Sequence, residues 1–181
     1  LLQREWIKAK GKLAEAGALL PRHEGVLQRM EQVKDLENRE QNRAKAQSLF
    51  TEALKFLSLD QTEEFHKKVS EAGLADPDNR AEFEKQAQEK YRAYQKALAL
   101  KKYTEGLALL ESGRMEDFQA RTKEAILLDE EGGYLEKSRK DLETYNKRRA
   151  GECYDRGIKL WGENSLDAAM SAFKDCIALN P

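Results

Sequence analysis

Proline is scarce in this chain: three in 181 residues, with 11 glycines to share the work of breaking helices. Such a sequence is poor in turn formers and rich in helix formers, and no alternating strand pattern occurs in it. Two cysteines, Cys153 and Cys176, make no disulfide framework and fix no compartment; they read as buried free thiols. The two histidines, His23 and His66, stand far apart without a metal-ligand spacing, so surface or capping roles are expected of them. A serine-histidine-acid set, a glycine-rich phosphate loop and a zinc spacing are all missing. The chain therefore reads as no enzyme, with no catalytic or metal site and no cofactor. Net charge is missing too: 32 basic residues against 33 acidic ones leave −1, no field to recruit nucleic acid or an anionic membrane. The one notable basic cluster, "NKRR" at 146–149, reads as a solvated face, and "DPDN" at 76–79 as helix capping, since it lacks a calcium-loop spacing. No apolar run approaches the ~18 residues of a membrane span, so no membrane insertion is expected of this segment. The chain opens on "LLQREW", with neither methionine nor signal-peptide layout, and is expected to be a piece of a longer protein whose compartment it does not reveal.

What the chain does have is a repeat. "AEAGALLP", "SEAGLADP", "KEAILLDE" and "KDCIALNP" end at residues 21, 77, 130 and 181, at spacings of 56, 53 and 51. Upstream of these ends the residue types agree. Ala9, Phe65, Phe118 and Ala169 come twelve residues before the end; Leu13, Val69, Thr122 and Phe173 come eight before it. Ala16, Ala72, Ala125 and Cys176 come five before it. These steps mark one helix face, so each unit closes with a short helix and a stop. The stop is proline in three of the four units, and "EEGG" at 130–133 in the remaining one.

The last unit, "AGECYDRGIKLWGENSLDAAMSAFKDCIALNP", resembles a tetratricopeptide repeat, an antiparallel helix pair. Gly157 matches the family's small residue in the first helix. Ala169, Phe173 and Pro181 match the alanine, aromatic and closing proline of the second. Cys153, Leu160 and Cys176 replace the family's tryptophan, tyrosine and late alanine, which marks a divergent member. Two further units fit through Ala53, Phe65, Ala72 and Pro77, and through Gly106, Phe118 and Ala125; residues 1–21 look like a second helix without its first. The resemblance implies an all-α fold, a right-handed α-solenoid of helix pairs, as one array over 1–181. Its units are 1–21 (partial), 22–77, 78–130 and 131–181.

The family's period is about 34 residues, so each unit here is too long by five to six helical turns at ~3.6 residues per turn. Nothing in the surplus looks like a loop. "NRAEFEKQAQEKYRAYQKALALKKYTEGLALLESG" runs from 79 to 113 without proline, and its one internal glycine is Gly106. The simplest reading lengthens the first helix of each unit. Long helices are predicted over 23–58, 79–112 and 132–162, and short ones over 4–19, 61–74, 115–128 and 165–179. Asp78 or Asn79 is expected to cap the second long helix and Gly113 to end it. Asp60-Gln61-Thr62-Glu63 has the form of a capping box, and Ser165 that of a cap. Phe83, Ala87, Tyr91 and Tyr94 step along one face, as do Tyr134, Ser138, Leu142 and Tyr145, which gives neighbouring long helices a stripe to pack on. The first extension offers only Val26, Met30 and Val33, and is expected to be the most solvated.

In the resembling family the first helices line a concave groove that holds a peptide or a partner helix. The groove-facing positions carried over are Phe50, Leu54 and Leu57; Tyr103, Leu107 and Leu110; Tyr154, Ile158 and Trp161. They make an aromatic-aliphatic ladder, predicted to be one continuous apolar surface with Lys102, Glu105 and Arg156 pointing away. The same spacing also suits a core between adjacent helices, and both readings stay open. An open ladder makes the chain a protein-interaction scaffold for a partner helix or apolar peptide; a buried one makes it a helical spacer joining flanking domains. The family's clamp for acidic tails is not carried over, because those positions are apolar here. An array ending without a polar cap is further expected to expose apolar surface at its last unit or to self-associate there.

Overall fold

The computed structural model describes residues 2–179, with side chains from residue 7 onward. Among these the fold is all-α: seven α-helices and no strand. They are α1 (Leu2–Leu19), α2 (Glu24–Ser58), α3 (Thr62–Ala75), α4 (Arg80–Glu111), α5 (Met115–Leu128), α6 (Tyr134–Gly162) and α7 (Leu166–Leu179). Every predicted helix is present, with each end within two residues of its expected position. The surplus of each unit is helical. α2 has 35 residues, α4 has 32 and α6 has 29, which gives lengths of about 44–53 Å at ~1.5 Å per residue.

Short 3₁₀ turns, Pro77–Asn79 and Glu130–Gly132, lead into α4 and α6. In the first, buried Asp76 accepts a hydrogen bond from Asn79 Nδ2 at 2.8 Å, so "DPDN" is a turn that holds itself together.

Three turns share one construction. Asp60, Gly113 and Asn164 follow α2, α4 and α6 with φ of 61°, 82° and 63°. The N–H of each bonds back to a carbonyl in the last helical turn: Leu57, Leu110 and Trp161. The next residue, Gln61, Arg114 or Ser165, bonds to Phe56, Leu109 or Leu160. This is the Schellman ending, which needs one left-handed residue. Glycine, asparagine and aspartate are the types that take that conformation most readily. The expected capping box at 60–63 is not formed: Asp60 occupies the left-handed position, and Gln61 at the N-cap makes no side-chain capping bond.

The chain divides into two compact units, Leu1–Tyr91 and Arg92–Pro181, the division falling inside α4. In the first unit α2 buries Ala46, Phe50, Ala53 and Leu57, and α3 buries Phe65, Val69, Ala72 and Gly73. From the start of α4, Phe83 meets Phe50 with ring centroids 5.5 Å apart, and Tyr91 stacks on Phe65 at 5.9 Å. The exposed His66 ring lies edge-on to both Phe65 and Tyr91. α1 packs on the first half of α2, where a Cβ on Gly17 would fall 2.7 Å from Met30 Sδ. No residue of α2 before Ala46 is buried, in keeping with the solvated first extension.

In the second unit Ala99, Tyr103 and Leu110 of α4, Phe118 and Ala125 of α5, and Tyr134 and Tyr145 of α6 form one core. The small residues act where the repeat places them. A Cβ on Gly106 would lie 3.4 Å from Phe118 Cδ2, and one on Gly157 only 2.5 Å from Phe173 Cε1. The three phenylalanines are not equivalent, however. Phe65 and Phe118 are fully buried, whereas Phe173 stands one turn later in its helix and is only half buried. Both cysteines are free, Cys153 buried and Cys176 partly so. Among the described residues no helix is long and apolar enough to cross a membrane.

Candidate protein-docking face

The nine ladder residues share one helical register but not one environment. Phe50 and Tyr103, the first rung in α2 and α4, are each 4% exposed, and Leu57 and Leu110 are buried with them. Leu54 and Leu107 are half buried. In α6 the matching residues are bare: Tyr154 is 51% exposed, Ile158 51% and Trp161 63%. The ladder is therefore not a uniform open groove. Its first six residues are wholly or partly interior, and its last three are surface.

The reason is local and is the same in both covered cases. Phe50 lies under Phe83, and Tyr103 lies under Tyr134 at 5.1 Å. Each covering ring comes from the opening turn of the next long helix. The phenol of Tyr103 is also satisfied, donating a hydrogen bond to Asp141 Oδ2 at 2.5 Å, seven residues after Tyr134. Burial first, and then this carboxylate, push the Tyr103 hydroxyl well above the ordinary tyrosine range. Burial likewise raises Tyr134, with Asp129 adding to it. The Tyr103–Asp141 pair was invisible to sequence reading, since nothing in a repeat of apolar positions marks which carboxylate will meet which phenol.

Around Tyr154 the surroundings are different. Its ring meets Phe173 of α7 at 5.8 Å, and Trp161 meets the same ring at 6.5 Å. Phe173 thus joins the α6 rung to an α7 stripe in which Met170 and Ile177 are also exposed. Matching positions decide how unusual this is. Ile177 is 65% exposed, while Ile126, its counterpart 51 residues earlier, packs against the core of its unit. The result is an apolar face of six residues on one helix pair: Tyr154, Ile158, Trp161, Met170, Phe173 and Ile177.

Charged residues beside the ladder positions tie each long helix to its short partner. Lys102 pairs with Glu124 at 3.1 Å, Glu105 with Arg121 at 3.9 Å, and Arg156 with Asp175 at 3.3 Å. The "NKRR" cluster is also neutralised: Lys147 pairs with Glu143, Arg148 with Glu111 and Arg149 with Glu152. Neither set offers an unopposed charge beside the apolar face. Compared with protein-family models, with curated proteins and with solved structures, the chain matches none.

Proposed function

We propose that this chain is a protein-interaction scaffold built of tetratricopeptide-like helix pairs, arranged as a right-handed solenoid. In this reading it takes a partner helix on the apolar face of α6 and α7. The observation that supports it is the exposure of Tyr154, Ile158 and Trp161 at positions that are covered in α2 and α4. Two aromatics and an isoleucine at helical spacing are the kind of anchor that dominates helix-in-groove recognition. Each could contribute roughly 1.5–3 kcal/mol on burial, before the costs of association are deducted. The partner is a protein or peptide read by shape and apolar contact, so binding should depend only weakly on salt. Tyr154→Ala with Trp161→Ala is the test. Both side chains are exposed, so helicity should be kept while capture of the partner in a pull-down is lost. Kept helicity with undiminished capture would sink the reading.

The spacer reading has its own support in the burial of Phe50, Leu57, Tyr103 and Leu110. Those residues work as interior packing of α2 and α4. The two readings fit together if the ladder residues of α2 and α4 serve as interior packing and only α6 and α7 present a docking surface.

A further inference from the structure

We infer that the face around Tyr154 is shaped for one kind of occupant: an amphipathic helix of a partner protein. It would lie parallel to α6, with an aromatic residue in its opening turn and a carboxylate seven residues later. This deepens the docking function proposed above and rests on it.

The chain is its own template. Phe50, Tyr103 and Tyr154 occupy one register position in α2, α4 and α6. The first two show what covers that position. Phe83 covers Phe50 and Tyr134 covers Tyr103, each an aromatic from the opening turn of a helix. The residues that follow also pack: Ala87 after Phe83 is buried, and Leu142 and Tyr145 after Tyr134 join the core. Tyr145 Oη comes within contact distance of Gly113, at the C-terminal end of α4, since a Cβ there would meet it at 3.5 Å. Tyr134 lies beside Tyr103 and Tyr145 beside Gly113, so the covering helix runs the same way as the helix it covers. An occupant of Tyr154 would accordingly start beside Tyr154 and finish near Trp161 and Asn164.

The carboxylate follows from the hydroxyl. Phe50 has none, and the residue seven after Phe83 is Lys90. Tyr103 has one, and the residue seven after Tyr134 is Asp141, which accepts its hydrogen bond. A buried phenol without an acceptor is costly. Tyr154 is a tyrosine, so a helix that buries it must bring an acceptor as Asp141 does. A second copy of the chain is a poor source. Among the described helices only the opening half of α6 pairs an opening-turn aromatic with a carboxylate seven residues later, and it is already packed in its own unit; α4 has Lys90 at that place, and the opening of α2 carries Leu27 and Met30 instead of an aromatic.

The experiment appends residues 131–149 directly after Pro181. That preserves the 51-residue register between Pro181 and Glu130, and supplies Tyr134 and Asp141 a second time. In a Trp6→Phe background Trp161 is the one tryptophan. We expect Trp161 to become shielded from acrylamide, and Tyr134→Ala in the appended copy to expose it again. We expect Asp141→Asn in the appended copy to lower its amide protection about tenfold, the worth of a hydrogen bond to a charged acceptor. In a Tyr154→Phe background the same change should do nothing. Trp161 quenched as freely with the appendage as without it would overturn the inference. So would an equal loss of protection in both backgrounds, or an unextended chain that dimerises and shields Trp161 by itself. Failure here is separable from failure of the docking function. If Tyr154→Ala with Trp161→Ala abolishes partner capture while the appended helix leaves Trp161 bare, the face docks a partner of other chemistry.

Discussion

Truncating two phenylalanines in turn gives a sharp test of the packing. Phe118 is fully buried between α4 and α5. Its ring lies 6.3 Å from Tyr103, and Gly106 passes so close that even a methyl group would touch it. Phe118→Ala removes a whole ring from walls that cannot collapse, because Tyr103 is held by Asp141 and the Gly106 backbone is already in contact. The cost should be about 3–5 kcal/mol. Phe173 is half buried, and its neighbours Tyr154 and Trp161 are themselves open to water. Phe173→Ala loses only part of a ring's burial and leaves no closed cavity, so its cost should be about 1–2 kcal/mol. Urea unfolding followed by far-UV circular dichroism measures both. Because the chain has two compact units, hydrogen exchange of α5 and α7 should be read in parallel, to assign each loss to its own helix. A Phe173→Ala cost equal to or above that of Phe118→Ala would refute the assignment of core and surface. So would a Phe118→Ala cost below ~1 kcal/mol.

Three further outcomes are expected. The raised Tyr103 hydroxyl keeps its proton in the folded chain above the pH, about 10, at which an unfolded tyrosine loses it, so the unfolded state binds fewer protons there. Stability should therefore be full below pH ~10 and fall above it, and Tyr103→Phe should flatten that alkaline fall in urea titrations. Thr122 is buried with its Oγ1 unpartnered, while Val69 stands at the matching position of α3. Thr122→Val should raise stability by about 1 kcal/mol, and a loss would show that the hydroxyl has a partner. Trypsin should cut first between 26 and 45, at Arg29, Lys34, Arg39 or Arg43, where α2 has no buried residue; first cleavage inside α4 or α6 would contradict this.

The helices were legible because their stops are chemical. Pro21 and Pro77 cannot continue a helix, Gly113 takes the left-handed turn, and the apolar steps within each unit hold one face. The close approach at Gly106 and Gly157 was legible too, because a missing Cβ has a direct steric meaning. Exposure along the ladder was not. Phe50, Tyr103 and Tyr154 look alike to any periodicity argument, since whether a ring is buried depends on a helix some thirty residues further along, Phe83 for one and Tyr134 for the other. Phe173 differs from Phe65 and Phe118 for a related reason: it stands one turn later in its helix, which keeps an aromatic on the pair while leaving it only half buried. The failed capping box shows two local preferences in competition. Asp60 suits both an N-cap and a left-handed turn, and the turn, with two backbone hydrogen bonds behind it, prevails.

The shared ending of α2, α4 and α6 also bears on how the molecule assembles in time. Asp60, Gly113 and Asn164 each reverse the chain within three residues, so a long helix meets its short partner through contacts near in sequence. Low sequence separation means little loop entropy to overcome, and pairings of this kind close in microseconds to milliseconds. A chain leaving the ribosome at about 5–20 residues per second would have each such hairpin formed well before the next left-handed residue emerged. Phe50 and Tyr103 would then wait, briefly bare, for the rings of Phe83 and Tyr134 to be synthesised. During that interval each nascent hairpin carries the same sticky aromatic surface that Tyr154 and Trp161 keep in the finished fold, a surface that a chaperone could grip one hairpin at a time.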